Sequence, residues 1–306
     1  MSNSNLPKHR FLNDEEQKNF ILKYREIEAK YPLFNLVRKS RFHMWLWFLY
    51  IVLFLIYSIV QNINNNIGVN IIVFVFGIIG LQIVFVASHI KAHAFFLEYE
   101  NHIPSSTSII KSTKDRIPDN VVYYYAFYHH HHTKSNNWAP LLSYYNYDGA
   151  NNVAVAHWIS YTMLGSARII LVIGLSFISP LTLLYYSGYE IAVIMLPFAH
   201  RWQHIDKSEQ NMGIKLFFTI LEFCGIVANR GDHKRHHIHN GPTVYQDFSS
   251  SGIYAKYVDN LINKFWDYNY YKAVKNGRYV SDYIAPCSWF CVRFILIIIP
   301  FLFIFL

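Results

Sequence analysis

The chain has 306 residues, of which 53% are apolar, 18% aromatic and only 15% charged. Soluble domains carry about a quarter of charged residues, so this composition excludes a disordered chain and argues against an ordinary water-soluble enzyme. Lys and Arg outnumber the acids by 27 to 19, and several basic residues stand beside apolar runs, which favours a membrane protein over a nucleic-acid-binding one. With three cysteines and no CxxC pair, the chain offers neither a disulfide framework nor a thiolate zinc site.

The N-terminal segment 1–42 is polar, and we expect no cleavable signal peptide because it lacks an early apolar run. Asn13 is a candidate N-cap, and the apolar residues that follow recur at helical spacing. They predict an amphipathic helix that lies on a membrane surface or packs on a soluble core. Two further parts follow: a membrane domain over 43–285 and a C-terminal transmembrane helix over 286–306.

Five apolar stretches predict an all-α, polytopic membrane protein. A helix needs about 20 residues to span the bilayer core, so the fourth stretch must continue as a helix that leaves the membrane. If the spans pair as hairpins, the basic loops fall on one side, which the positive-inside rule makes cytosolic. We therefore expect about four core transmembrane helices, a C-terminal apolar helix and a cytosolic helical cap. The stretches are 44–60, 68–87, 169–186, 191–198 and 286–306.

The placement of the 16 histidines is the most informative feature. Residues at i, i+3 and i+4 share one helix face, so HxxxH and HxxHH motifs direct their imidazoles towards one point. The clusters are His89 with His93, the run His129–His132, His200 with His204, and His233 with His236 and His237. We expect all of them on the cytosolic side, next to the membrane. The isolated His9, His43 and His102 are interpreted as ordinary surface or packing residues.

These clusters predict a site for redox metals. Together they supply about nine nitrogen ligands, more than one metal accepts, so two metals are the simplest interpretation. Imidazole ligands suit iron, zinc or copper and exclude calcium and magnesium, which prefer oxygen. Iron is favoured because lipid chains offer inert C–H bonds that an iron pair with dioxygen can oxidise. Asn151 and Asn152 are candidates for orienting ligating histidines. His157 is either a further ligand or an interfacial anchor.

Five stretches resemble the lipid desaturase family of plasmanylethanolamine desaturase, the bacterial carotenogenesis protein CarF and a plant plastid desaturase. The family carries a histidine at the position of Gly225, which is a departure in this chain. The resemblance covers roughly residues 70–270. The matching stretches are "SHIKAH" (88–93), "FYHHHH" (127–132), "HRWQH" (200–204), "TILEFCGIVANRGDHKRHH" (219–237) and "SGIYAKYVDNLINKFWDY" (251–268).

The resemblance implies a membrane di-iron desaturase of lipid alkyl or acyl chains, with O2 as co-substrate and electrons from cytochrome b5 or a ferredoxin. The expected location is integral to a membrane, that of the endoplasmic reticulum, and no nucleic-acid partner is expected because the basic residues stand beside apolar runs. One alternative is a fatty-acid or sterol hydroxylase on the same histidine boxes; another is a metal transporter or membrane scaffold without enzymatic activity. No catalytic residues are expected beyond the metal ligands. The expected ligands are His89, His93, His131, His132, His200, His204, His233, His236 and His237.

Overall fold

The computed structural model describes residues 41–99, 174, 177, 179–204, 211–238, 247–249 and 251–303. These residues contain helices and no β-strand, which confirms the all-α prediction for this part of the chain. The predicted amphipathic helix of segment 1–42 lies outside the described residues. The helices are α1 (Arg41–Gln61), α2 (Ile67–Tyr99), α3 (Leu181–His204), α4 (Met212–Phe223), α5 (Arg230–Ile238), α6 (Gly252–Tyr257), α7 (Asp259–Asn276), α8 (Val280–Arg293) and α9 (Ile299–Leu302), with a π-helical segment over Phe294–Ile298.

Two helical stretches in the described part of the chain are long and apolar enough to cross a membrane, namely Ile67–Phe95 and Val280–Leu302. The first lies within α2, and the second comprises α8, the π-helical segment and α9. Leu49–Gln61 of α1 is a shorter apolar helix. About four core spans and a C-terminal apolar helix were predicted from the sequence. Among the described residues, length and composition support one of the core spans, 68–87, and the C-terminal helix.

Helix α3 corrects the predicted boundary between the third and fourth spans. The stretches 169–186 and 191–198 were expected to form separate spans, but α3 is continuous from Leu181 to His204. Its residues 187–190, Ser-Gly-Tyr-Glu, have the composition of a turn, but all four are buried inside the helix. Packing against neighbouring helices therefore overrides the local preference for a break.

Two glycines allow α2 and α3 to pack backbone against backbone. A Cβ atom on Gly77 would lie 1.9 Å from the carbonyl oxygen of Tyr185, and one on Gly188 would lie 2.0 Å from the carbonyl oxygen of Phe74. Such distances are too short for any side chain, so only glycine fits at either position. Val73 near the start of α2 packs in one cluster with residues at the start of α3, so the two helices run in the same direction.

The C-terminal helical stretch begins earlier than the sequence predicted. It was expected to begin at Pro286, but α8 begins at Val280 and includes the proline. The following π-helical segment widens the helix, and such widening leaves backbone carbonyls available to other donors. The hydroxyl of Tyr185 donates to the carbonyl of Ile295 at 3.0 Å, and that of Tyr186 donates to Leu296 at 2.5 Å. Helix α3 therefore fixes the position of this stretch.

Helices α1 and α8 complete the packing around α2 and α3. The buried side chain of Asn62, just after α1, donates to the carbonyls of Ser58 at 2.8 Å and Pro180 at 2.9 Å. It ties the end of α1 to the start of α3. On the other side, the hydroxyl of Ser288 in α8 donates to the carbonyl of Ala87 in α2 at 2.5 Å. The Ser288 contact holds the C-terminal part of α2, where the histidines lie.

Candidate metal centre

Helix α2 presents its two histidines on one face near its C-terminal end. His89 and His93 are four residues apart, and their ring centroids are 4.7 Å apart. His93 is fully buried, and His89 is partly buried. The HxxxH motif therefore forms the pair that helical spacing predicts.

Helix α5 supplies the third histidine of the cluster. The side-chain oxygen of Asn229, which precedes α5, accepts from the backbone N–H of Asp232 at 3.0 Å and so caps its first turn. His233 and His236 follow on the buried face of α5 and are 5% and 1% exposed. The i, i+3 spacing in the HxxHH motif thus points both rings into the protein.

His89, His93 and His236 form a group that could hold a metal ion, because their candidate ligand atoms all lie within 4.8 Å of one another. The Nε2 atom of His93 is 3.0 Å from Nε2 of His89 and 3.2 Å from Nε2 of His236. Three nitrogens that converge on one point, with no carboxylate or thiolate in the group, suit iron, zinc or copper better than calcium or magnesium.

The backbone of Phe248 orients His89. Its carbonyl oxygen lies 2.9 Å from Nδ1 of His89. A carbonyl can only accept a hydrogen bond, so this contact places the ring proton of neutral His89 on Nδ1. The lone pair is then on Nε2, the atom that faces the other two histidines, as metal ligation requires.

A second pair of histidines lies beside this group. The ring centroids of His200 in α3 and His233 in α5 are 4.7 Å apart, and His233 lies 6.2 Å from His236. The rings thus form a continuous row from the end of α3 to the end of α2. The amide of Gln203, one turn after His200, donates to the carbonyl of Ala228 at 2.8 Å and fixes α3 against the segment before α5.

Five of the nine predicted ligands therefore lie in one neighbourhood. Of the others, His204 is the last residue of α3, and His237 lies in α5. His131 and His132 lie outside the described residues, as do Asn151, Asn152 and His157. The five neighbouring histidines are His89, His93, His200, His233 and His236.

Phe248 was not predicted from the sequence. It acts through its backbone carbonyl, which any residue carries, and the histidine that it orients, His89, lies 159 positions away in the chain. The structure also explains why position 225 carries glycine where the lipid desaturase family carries histidine. Its φ of +69° is left-handed, and an added Cβ would lie 2.9 Å from a side-chain carbon of Ile253, so a histidine would be strained there.

No family model, curated protein or solved structure matches the chain. The likeness to lipid desaturases therefore rests on the histidine motifs and stays a prediction. What the structure adds is independent of that likeness. Histidines from three separate helices meet at the C-terminal end of an apolar helix.

Proposed function

We propose that the protein is a membrane-bound di-iron desaturase that introduces a double bond into a lipid alkyl or acyl chain. The observation that carries this proposal is the buried group of His89, His93 and His236 at the end of the apolar helix α2, with the His200–His233 pair beside it. The imidazole donor set fits iron. Five neighbouring imidazole rings also favour two adjacent metal positions over a single closed four-coordinate site.

The length of α2 supports a site at the membrane boundary. At about 1.5 Å per residue, His89 lies about 33 Å along the helix from Ile67, and the hydrocarbon core of a bilayer is about 30 Å thick. If Ile67 marks one face of the core, the histidines reach the opposite face. A lipid chain could then enter the site from the bilayer, and a soluble electron donor could approach it from the aqueous side.

The reaction removes two hydrogens from adjacent carbons and reduces O2 to two waters, with two electrons and two protons from outside the lipid. Bound iron would supply the oxidising power with dioxygen. The chain's own residues hold the ligands and exclude water. Phe248 is 1% exposed, and its ring contacts His89, His93 and His236, so it covers the site with an apolar surface. Cytochrome b5 or a ferredoxin is the proposed electron donor, and the endoplasmic reticulum, with the site on the cytosolic side, is the proposed location.

The test uses the full chain expressed in a membrane host, followed by lipid mass spectrometry and iron analysis of the purified protein. We expect lipids that have lost two hydrogens and iron near two per chain. H93A and H236A should each abolish the lipid product and lower the bound iron, because each variant deletes one of the converging ligands. H43A, at a histidine outside the clusters, is the matched control and should retain both.

Other results would favour the alternatives. A product that gains one oxygen would indicate a hydroxylase, and bound metal without any lipid product would favour a transporter or scaffold. Full desaturase activity in both H93A and H236A would show that this site is not the catalytic centre.

A further inference from the structure

The segment Asp247–Ser249 lies between the histidine group and helix α7. The ring of Phe248 is edge-on or tilted to the rings of His89, His93 and His236, with centroids 5.8, 5.5 and 5.7 Å away. Its carbonyl accepts from His89 Nδ1. The orientation of His89 therefore depends on where this short segment is held.

Helix α7 holds each residue of the segment with a different side chain. The hydroxyl of Ser249 donates to Oδ1 of Asp259 at 2.6 Å, and the ring of Phe248 packs on Trp266 with centroids 5.3 Å apart. The side-chain oxygen of Asn263 accepts a hydrogen bond from the backbone N–H of Asp247 at 2.9 Å. Its side-chain amide donates to the Asp247 carboxylate at 3.0 Å. Trp266 is fully buried, and Asp259 is 3% exposed.

These three side chains lie on one face of α7. Asp259, Asn263 and Trp266 follow the spacing i, i+4 and i+7, which repeats at two helical turns. We call this face, formed by the three residues, the α7 clamp. One rigid helix therefore sets the position of three consecutive residues beside the histidine group.

The backbone of the segment needs such support. Asp247 has a φ of +60°, the left-handed region that residues with a side chain rarely adopt. The paired hydrogen bonds with Asn263 stabilise this conformation. On the other side, Nε of Arg235 in α5 lies 3.5 Å from Oδ2 of Asp247. The segment is thus joined both to α7 and to the helix that carries His236.

We propose that Asp259, Asn263 and Trp266 are positioning residues of the metal centre, which hold the Phe248 carbonyl so that His89 keeps its proton on Nδ1 and presents Nε2 to the metal. This proposal rests on the metal-binding part of the proposed function. It assigns a role to residues that are distant from the histidines in the sequence and bind no metal themselves.

The chemical reason is the tautomer of neutral imidazole. Without an acceptor at Nδ1, His89 is free to carry its proton on Nε2, and that form has no lone pair for a metal at this position. The ring also loses the contact that fixes its rotation. Loss of such an outer partner typically lowers metal affinity by about 10–100-fold.

The experiment measures Co²⁺ affinity of the purified full chain by visible absorption, together with the protonation of His89 by ¹⁵N-histidine NMR on the metal-free protein. H89Q identifies the His89 signal. The test variant is N263A, and its matched control is N260A, the same change at an exposed position of α7. D259A removes the acceptor of the Ser249 hydroxyl, and D259N restores an oxygen there.

We expect N263A and D259A to bind Co²⁺ about 10–100-fold more weakly and to shift the His89 proton towards Nε2. N260A and D259N should behave as the unmodified chain in both measurements. Circular dichroism checks that each variant keeps its helices. If N263A fails to fold, N263D tests the clamp instead. It keeps the acceptor for the Asp247 N–H but replaces the amide donor with a second carboxylate beside Asp247, so it should also shift the His89 proton towards Nε2.

The clamp is refuted if N263A and D259A keep the original affinity and an unchanged His89 signal. It is also refuted if His89 of the unmodified chain carries its proton on Nε2. If the unmodified chain binds no Co²⁺ while its His89 shows an Nδ1 proton that N263A loses, the metal centre is wrong, but the positioning of His89 by α7 stands.

Discussion

Gly188 in α3 gives the sharpest test of the packing that places the site. G188A adds a methyl group 2.0 Å from the carbonyl oxygen of Phe74, while ordinary contacts begin at 3.4 Å. The neighbouring atoms are backbone, so no side chain can rotate away. Helices α2 and α3 must separate by about 1.4 Å, which forfeits contacts along their shared surface. Overpacking of this kind costs about 1–3 kcal/mol.

The matched control is G213A in α4, where the nearest atom to an added Cβ is 3.6 Å away. There the change removes backbone entropy from the unfolded chain and should stabilise by up to about 1 kcal/mol. The two variants make the same chemical change, but G188A should lower the free energy of unfolding and G213A should raise it. Unfolding by SDS in mixed micelles, followed by circular dichroism, measures both.

The same substitution should also affect the site. Helices α2 and α3 run in the same direction, so a separation at Gly188 changes the position of His200 relative to His93. We expect a lower content of bound metal together with reduced stability in G188A. If G188A is as stable as the unmodified chain, the close backbone contact does not exist, and the arrangement of α2 and α3 is wrong.

Two further predictions concern buried polar groups, and a third concerns bound metal. Burial, aided by repulsion from Asp247 and Asp232 and opposed by the Ser249 hydrogen bond, raises the pKa of Asp259 to about 7 from 3.8. The folded state therefore keeps a proton that the unfolded chain has lost. The free energy of unfolding should fall by up to about 4 kcal/mol as pH rises from about 4 to about 7. D259N has no carboxyl at this position and should flatten this dependence when unfolding is measured against pH. N62L leaves the carbonyl of Pro180 without its donor and should cost about 1–3 kcal/mol in the same unfolding assay; an unchanged stability would argue against this tie. Chelation of bound metal should lower the melting temperature of the unmodified chain but leave that of H93A unchanged, as differential scanning fluorimetry can determine.

The sequence alone predicted the helical class and the local geometry of the histidine pairs. HxxxH and HxxHH place their rings on one helix face because the 3.6-residue period is a local property of the backbone. His89 with His93, and His233 with His236, follow this rule in the structure. Apolar composition likewise predicted the second span, and α2 is long and apolar enough to cross a membrane, since span length follows from hydrocarbon thickness.

The meeting of these pairs was decided by tertiary structure. His93 and His236 are 143 positions apart, and no local rule brings them to 3.2 Å. The continuity of α3 through residues 187–190 also depends on packing, because Gly188 is needed for contact with α2 rather than for a turn. The role of Phe248 depends on a backbone carbonyl, which leaves no mark in the sequence. Local periodicity therefore fixed where each ring points, and the packing of distant helices fixed which rings share a site.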